Sequence, residues 1–172
     1  ARDMLEQRIR ERTAQLADMN ERLEAQLVEG RLVEDALRES EKRFSAFLDH
    51  APNLAFVKGT DGRYLYANRK FEDVFHFERG SVPGKTDVEL FPPGQADQFQ
   101  AHDRQVLESK QVREFEIQAL HADGLHTSIV VEFPLQDATG QVCAIGGIAT
   151  DITYRKQAEA ALREKEELTR AF

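Results

Sequence analysis

Apolar residues recur along the first 47 positions on a seven-residue cycle. With a at Ile9, Leu16, Leu23, Gly30, Leu37 and Phe44, the d positions fall at Leu5, Arg12, Met19, Gln26, Val33, Ser40 and Phe47. One phase holds from Leu5 to Phe47 without a proline. A seam of that kind is buried when two helices coil about each other. The spacing predicts a coiled-coil helix over 1–47, roughly 65 Å long given the helical rise per residue. Its dimer seam is expected at Leu16, Met19, Leu23, Val33, Leu37, Phe44 and Phe47. Arg12, Gln26 and Gly30 weaken the seam, and Leu27, Val28 and Leu32 lie off it, which predicts loosened packing near Gly30. A solvated single helix is the plainer alternative, but it has no need of an apolar stripe.

After Phe47 the texture changes. "HAPNL" ends the helix, because Pro52 excludes helical backbone at Ala51. "LAFVKGTDGRYLYAN" holds two short β-prone runs around Asp61-Gly62, a hairpin signal. Asn68 suits the N-cap of a helix over "RKFEDVFHF". "PGKTDVELFPPG" reads as a short helix between turns, ended by Pro92-Pro93-Gly94. "QADQFQAHDRQVLESK" is amphipathic, with Ala96, Phe99, Val106 and Leu107 inward. The strand runs "VREFEIQAL", "HTSIVVEFPL" and "VCAIGGIATDI" follow, parted by the turns "HADG" and "DATG". Antiparallel strand runs with helices gathered between them predict an α+β fold. The domain plan is a signalling helix over 1–47, a globular domain over 48–153 and a linker helix over 154–172.

Alternation places Phe115, Ile117 and Ala119 on one face of the first of these strands and Ile129, Val131 and Phe133 on one face of the next. Cys143, Ile145 and Gly147 form the corresponding set on the last strand, while Phe71, Phe75, Phe91 and Phe99 close over them from the helices. Eleven Phe and no Trp suit a dry interior. Gly146 and Gly147 leave room for a ligand or a backbone to approach closely. A filled core and a small, mostly apolar ligand cavity are both open readings, and no convergent charged cluster points to a substrate class.

Composition narrows the possibilities. A net charge of −8 argues against nucleic-acid binding, which needs clustered basic residues. No stretch approaches the roughly 20 apolar residues of a membrane span, so no membrane contact is expected within the segment. One cysteine excludes an internal disulfide and a multi-cysteine zinc site. "ALRESEKRFSAF" (36–47) is echoed by "ALREKEELTRAF" (161–172), as in a tandem module, although chance similarity between Glu/Arg-rich helices is the alternative.

Catalytic signals are absent: there is no nucleotide-binding glycine loop, and His50 in "LDHAPN" lacks the context of a phosphorylated histidine. His121 and His126 flank a hairpin and, with Asp123, offer a weak surface metal site; solvated turn residues are the plainer reading, and no resident metal is expected.

The stretches "FVKGTDGRYLYANRKFEDVF", "GKTDVELFP", "AHDRQVLESKQVREFE" and "GGIATDITYRKQAEAALRE" resemble the PAS sensory domain with its C-terminal PAC motif, over roughly residues 40–156. The last is the most specific, pairing a Gly-rich strand with an Asp-Ile-Thr turn and a helix. The leading helix is similar to linkers of bacterial sensor histidine kinases and diguanylate cyclases. The resemblance implies a five-stranded antiparallel sheet cupped around short helices, a parallel homodimer, and signalling helices at both ends. It also implies a sensory and relay module, with kinase or cyclase activity in a domain outside this chain. Signal transmission would run through Asp151, Ile152 and Thr153, with Asp151 capping the helix or pairing with an arginine.

Cofactor-bearing members imply tests for this chain. Flavin-type members need a reactive cysteine in an Asn-Cys-Arg context on the helical side, whereas Cys143 lies in an apolar strand, where a buried small hydrophobe is expected. Haem-binding members use a histidine on the long helix, where His102 lies, although the residues around it depart from their pattern. No cofactor is expected. A ligand-free dimerisation adaptor and a haem sensor through His102 are the alternatives to the ligand-sensing relay. The expected location is the cytoplasm, including the cytoplasmic part of a membrane-anchored sensor.

Overall fold

The computed structural model describes residues 2–170, with the side chains of 168–170 excepted, so Ala171 and Phe172 of the C-terminal echo lie outside the described residues. Residues up to Ala46 and those from Phe47 onward form two compact units. In the first, α1 (Arg2–Asp49) runs without a break through Gly30 and buries none of its residues. Its predicted seam faces solvent in the single chain: Leu16 is 60%, Leu23 53% and Leu37 59% exposed. Ion pairs one turn apart, Asp18–Arg22 at 2.9 Å and Glu6–Arg2 at 3.2 Å, line the helix. No helix among the described residues is long and apolar enough to cross a membrane.

In the second unit, Pro52 follows the end of the helix. Strands β1 (Leu54–Gly59) and β2 (Tyr64–Ala67) form the hairpin expected around Asp61-Gly62, with Gly62 at φ 78°. Helices α2 (Arg69–Phe75), α3 (Asp87–Leu90) and α4 (Pro93–Ser109) come next, followed by β3 (Arg113–His121), β4 (Gly124–Gln136), β5 (Val142–Asp151) and α5 (Thr153–Arg170). Asn68 caps α2 as predicted: its side-chain oxygen accepts the Phe71 N–H at 3.1 Å, and its amide donates to the Leu48 and Asn53 carbonyls. The helix stops two residues sooner than expected, because His76 turns left-handed at φ 55°. Pro93 ends nothing; it occupies the first turn of α4, where its missing N–H costs no hydrogen bond.

The five strands form one antiparallel sheet in the order β2-β1-β5-β4-β3, so the last strand is central. Its inner face packs against the helices around Leu54, Phe56, Tyr64, Phe71, Val82, Phe91, Ala96, Ile117, Ala119, Val130 and Ala149. The expected alternation holds on β3 and fails on β4. Register pairs Val130 with Phe115 and Ala149, and Glu132 with Gly147, which puts Ser128, Val130 and Glu132 inside. Ile129, Val131 and Phe133 therefore lie on the outer face, opposite the expected one. In the run "SIVVEF" one parity is Ile129, Val131 and Phe133 and the other Ser128, Val130 and Glu132, and the fully apolar parity is the one that lies outside.

Cys143 is also corrected. Leu135 pairs with Ala144 and Gln136 with Val142, leaving Cys143 as the extra residue of a bulge. It is exposed, its Sγ 3.5 Å from the Leu135 carbonyl oxygen, and not a buried hydrophobe. The Gly146-Gly147 pair receives two of the protein's own rings. A Cβ on Gly147 would lie 2.1 Å from Phe56 on the inner face, and one on Gly146 would lie 2.5 Å from Phe133 on the outer. The missing side chains let β5 sit between two aromatic layers.

Gly147→Ala should destabilise the domain by about 1–3 kcal/mol through overpacking. Combined with Phe56→Leu, the loss measured by urea unfolding should be smaller than the sum of the two single losses. Additive losses would show that the ring does not define this glycine.

Candidate functional site

The inner face of the sheet and α2–α4 enclose a cavity of ≈ 40 Å³. That is room for a few water molecules, each needing about 10–15 Å³ by the same kind of measure. Most of the lining is apolar: Leu54, Phe56, Phe71, Phe75, Phe99, Ile117, Val130 and Ala149. Lys58, Tyr64, His102 and Glu132 supply a polar end.

That end is a charge cluster built by inward parity. Leu54, Phe56 and Lys58 alternate along β1, so the third inward position carries an amine into the core. Lys58 Nζ donates to Asp87 Oδ1 and Oδ2 at 2.9 and 2.8 Å and to Asp103 Oδ2 at 2.9 Å. Tyr64 Oη donates to Asp87 Oδ1 at 2.8 Å. Asp87 starts α3, and Asp103 follows Ala96 and Phe99 on the buried stripe of α4. Lys58 and Asp87 are each 1% exposed, and Glu132 is 3% exposed. Glu132 Oε2 and Asp103 Oδ1 are buried without a protein partner.

Burial dominates the electrostatics. Desolvation first, and the charge of Asp103 second, push the Glu132 carboxyl up to about 8, with Lys58 pulling the other way. Desolvation also raises Asp103 against the pull of Lys58. The Tyr64 hydroxyl is driven well upward by burial and by Asp87. His102 is lowered by burial and by Lys58, and its ring lies flat on Phe115 at 3.8 Å between centroids. Three carboxyls thus face one ammonium, and the proton retained by Glu132 relieves the imbalance.

Of the residues expected to line a cavity, Phe71, Phe75, Phe99, His102 and Ile117 do so. Phe91 packs behind them, edge-on to Phe75 at 4.9 Å and to Phe99 at 5.1 Å. Phe115 covers His102. Ile145 and Gly147 lie on the inner face, Ile145 being 1% exposed, whereas Val131 and Phe133 are outside and Cys143 is at the surface. Sequence reasoning passed over Lys58, Asp87, Asp103 and Glu132, and the expectation that no charged groups converge is overturned. A lysine at an apolar parity of β1 and an aspartate on the apolar stripe of α4 were the available signals. The cavity as it stands is far smaller than a haem macrocycle and does not fit one.

The joint from β5 to α5 is tightly bonded. Asp151 Oδ1 accepts the Thr153 N–H at 2.8 Å, capping the first turn as anticipated. The partner of its other oxygen is His126 Nδ1 at 2.6 Å, where an arginine was the expected alternative. The Ile152 N–H donates to the Thr127 carbonyl at 2.8 Å, and Thr153 Oγ1 accepts the Thr127 N–H at 2.9 Å. Ile152 is buried.

A five-stranded antiparallel cup, helices across its inner face and an exit helix grown from its central strand define an α+β sensory domain. The PAS-fold family matches residues 48–157, and the chain belongs to it. The chain is 30% identical to the methanogenesis regulatory histidine kinase FilI of Methanothrix harundinacea, over 92% of this chain and 18% of that protein. It is 37% identical to a diguanylate cyclase of Vibrio cholerae, over 57% of this chain and 32% of that one. It therefore spans no more than a third of the length of these relatives. The crystal structure of the phage VqmA-DPO complex superposes with a TM-score of 0.60 at 23% identity, over 79% of this chain and 62% of that one, a likeness of fold. The family match and these relatives make the domain a signalling module.

The raised carboxyl of Glu132 has a measurable consequence. Between the ordinary value of 4.5 and about 8, the folded chain keeps a proton that the unfolded chain has lost. Stability from this group is complete below the unfolded value and is lost as pH rises through the folded one. Thermal unfolding of Glu132→Gln across that range should therefore show a flatter pH profile and a higher Tm at alkaline pH than the parent. Parallel profiles would place the Glu132 carboxyl in contact with solvent.

Proposed function

We propose that the chain is a dimeric sensory and relay module of a larger signal-transduction protein, with a sensor histidine kinase as the leading type and a diguanylate cyclase as the other. Catalysis belongs to a domain elsewhere in that protein. The module binds a small, largely apolar molecule in the core cavity and converts occupancy into a change in helix pairing. One observation carries the reading: β5 presents Gly147 and Ala149 to the inner face, and four residues after Ala149 the chain enters α5 at Thr153 through a bonded turn. Anything that displaces this strand displaces the base of the helix.

The polar end supports a ligand with one hydrogen-bonding edge, since Glu132 Oε2 and Asp103 Oδ1 are buried without protein partners. An aromatic lining tolerates ring rotation, so the present volume is a lower bound on the guest. The apolar seam of α1, exposed in the single chain, supports a homodimer, and the family resemblance favours the parallel orientation. A bias of about 1–3 kcal/mol between two helix packings would change their populations 5- to 150-fold.

The small size of the cavity favours a second reading, a ligand-free adaptor that sets dimerisation and spacing. Thermal-shift screening against a metabolite library separates the two. A true ligand at about 100 times its Kd should add about 2.7 kcal/mol of stability, and Glu132→Ala should abolish that shift. A library that moves neither protein favours the adaptor. The dimer is tested separately: Leu23→Glu with Leu37→Glu should halve the mass seen by light scattering, and an unchanged mass would remove the seam.

A further inference from the structure

The hairpin between β3 and β4 brings two histidines to the end of β5. His121 closes β3, His126 lies near the start of β4, and the register sets Ala119 opposite His126 and Ser128 opposite Asp151. The two imidazoles lie parallel, with centroids 4.3 Å apart and planes 9° from each other. His121 is 8% exposed and wedged edge-on against Phe75 at 5.2 Å. His126 is half-buried, with Nδ1 2.6 Å from Asp151 Oδ2 and Nε2 3.0 Å from Asp123 Oδ1. One donor atom each from His121, His126 and Asp151 lies within 4.8 Å of the others.

We propose that His121, His126 and Asp151 form a binding site for a first-row divalent ion of the Zn²⁺ class. Two imidazole nitrogens and one carboxylate oxygen make a donor set that suits Zn²⁺, Co²⁺ or Ni²⁺ and leaves positions for water. Hard ions such as Mg²⁺ and Ca²⁺ prefer all-oxygen shells and do not match it. In this arrangement Nδ1 of His126 and Oδ2 of Asp151, now in contact, open by a few tenths of an ångström to admit the ion. Asp123 then holds the Nε2 hydrogen of His126, the carboxylate–histidine–metal arrangement that orients a ligand ring. Of the three groups predicted at this hairpin, both histidines remain as ligands. Asp151 replaces Asp123, which moves to the supporting position.

The position matters as much as the chemistry. Asp151 gives one oxygen to the ion and the other to the Thr153 N–H, so the ion joins the ends of β3, β4 and β5 to the first turn of α5. Metal binding itself does not depend on the relay reading. Its consequence, an ion that stiffens the output joint, does rest on that reading.

The test uses the untagged, metal-stripped 172-residue chain. Calorimetric titration with ZnCl₂ should show one ion per chain, and CoCl₂ should give d–d absorption that ZnCl₂ abolishes. Excess MgCl₂ or CaCl₂ should leave both signals intact. His126→Gln and Asp151→Asn, which remove ligands, should each weaken binding by more than about 100-fold, above the roughly 10- to 100-fold range for loss of a supporting group such as Asp123. His121→Ala should do the same, and if that buried substitution unfolds the chain, the other two decide. Cys143→Ser, at the exposed bulge on the opposite end of the β4–β5 pairing from Asp151, serves as the control and should bind like the parent. Absence of saturable binding by the parent, or binding unchanged in His126→Gln and Asp151→Asn, would overturn the site. Loss of metal binding with ligand-induced thermal shifts retained would separate this inference from the cavity reading.

Discussion

The ammonium of Lys58 governs how the cup closes. It spends all three of its hydrogens on Asp87 and Asp103, and so ties β1 in the sheet to α3 and α4 above it. Tyr64 adds a bond from β2 to the same Asp87. A buried pair of this kind contributes little net stability compared with apolar side chains of the same shape, but losing one partner costs about 3–5 kcal/mol. Against a total stability of roughly 5–15 kcal/mol, that penalty excludes arrangements in which either helix docks elsewhere. The cluster is best understood as a device for specificity. Its three carboxyls outnumber the one ammonium by two, and the proton kept by Glu132 cuts that excess to one.

The same cluster gives the cavity its chemical character. Without Lys58, Asp103 and Glu132, the space would be a hydrocarbon void between phenylalanine rings. With them it has an edge of unused hydrogen-bonding capacity at the end of an apolar chamber. Buried polar atoms without partners are uncommon in folded proteins and call for a specific reason. A guest, or ordered water that a guest displaces, is the physical reason that fits a strand leading directly to an output helix.

Much of the architecture was legible because local chemistry and global fold agree. Asn68, the Asp61-Gly62 turn, the Pro52 stop and the period of α4 each act within a few residues of where they are read. The family motifs added the five-stranded antiparallel sheet cupped around short helices, which no local signal specifies. The site was less legible because it breaks the local rules. On β4 the apolar parity Ile129, Val131 and Phe133 lies outside, and the inner parity carries Ser128 and Glu132. The position of Cys143 depends on a bulge set by pairing with a strand distant in sequence. Lys58, Asp87 and Asp103 lie 16 to 45 residues apart, and only the closed cup brings them together. Sequence patterns reward burial of hydrocarbon, so they misplace residues whose burial is justified by one another.

The outer strands also reach the output joint. Ile152 and Thr153 are bonded to Thr127 of β4, and Lys156 in the first turn of α5 pairs with Glu116 of β3 at 2.8 Å. The helix base is therefore anchored to three successive strands, β5, β4 and β3. Backbone bonds to Thr127 are short and directional, whereas the Lys156 pair is half-exposed and screened by solvent. A displacement of β4 should thus reach α5 more faithfully than one of β3. Glu132 lies on that same β4, five residues beyond Thr127, so under the proposed relay a proton or guest at its carboxyl would act on the strand that holds the helix. Coupling through a packed, hydrogen-bonded strand requires no long chain of side chains, only that the strand move as a unit, which its pairing on both edges favours.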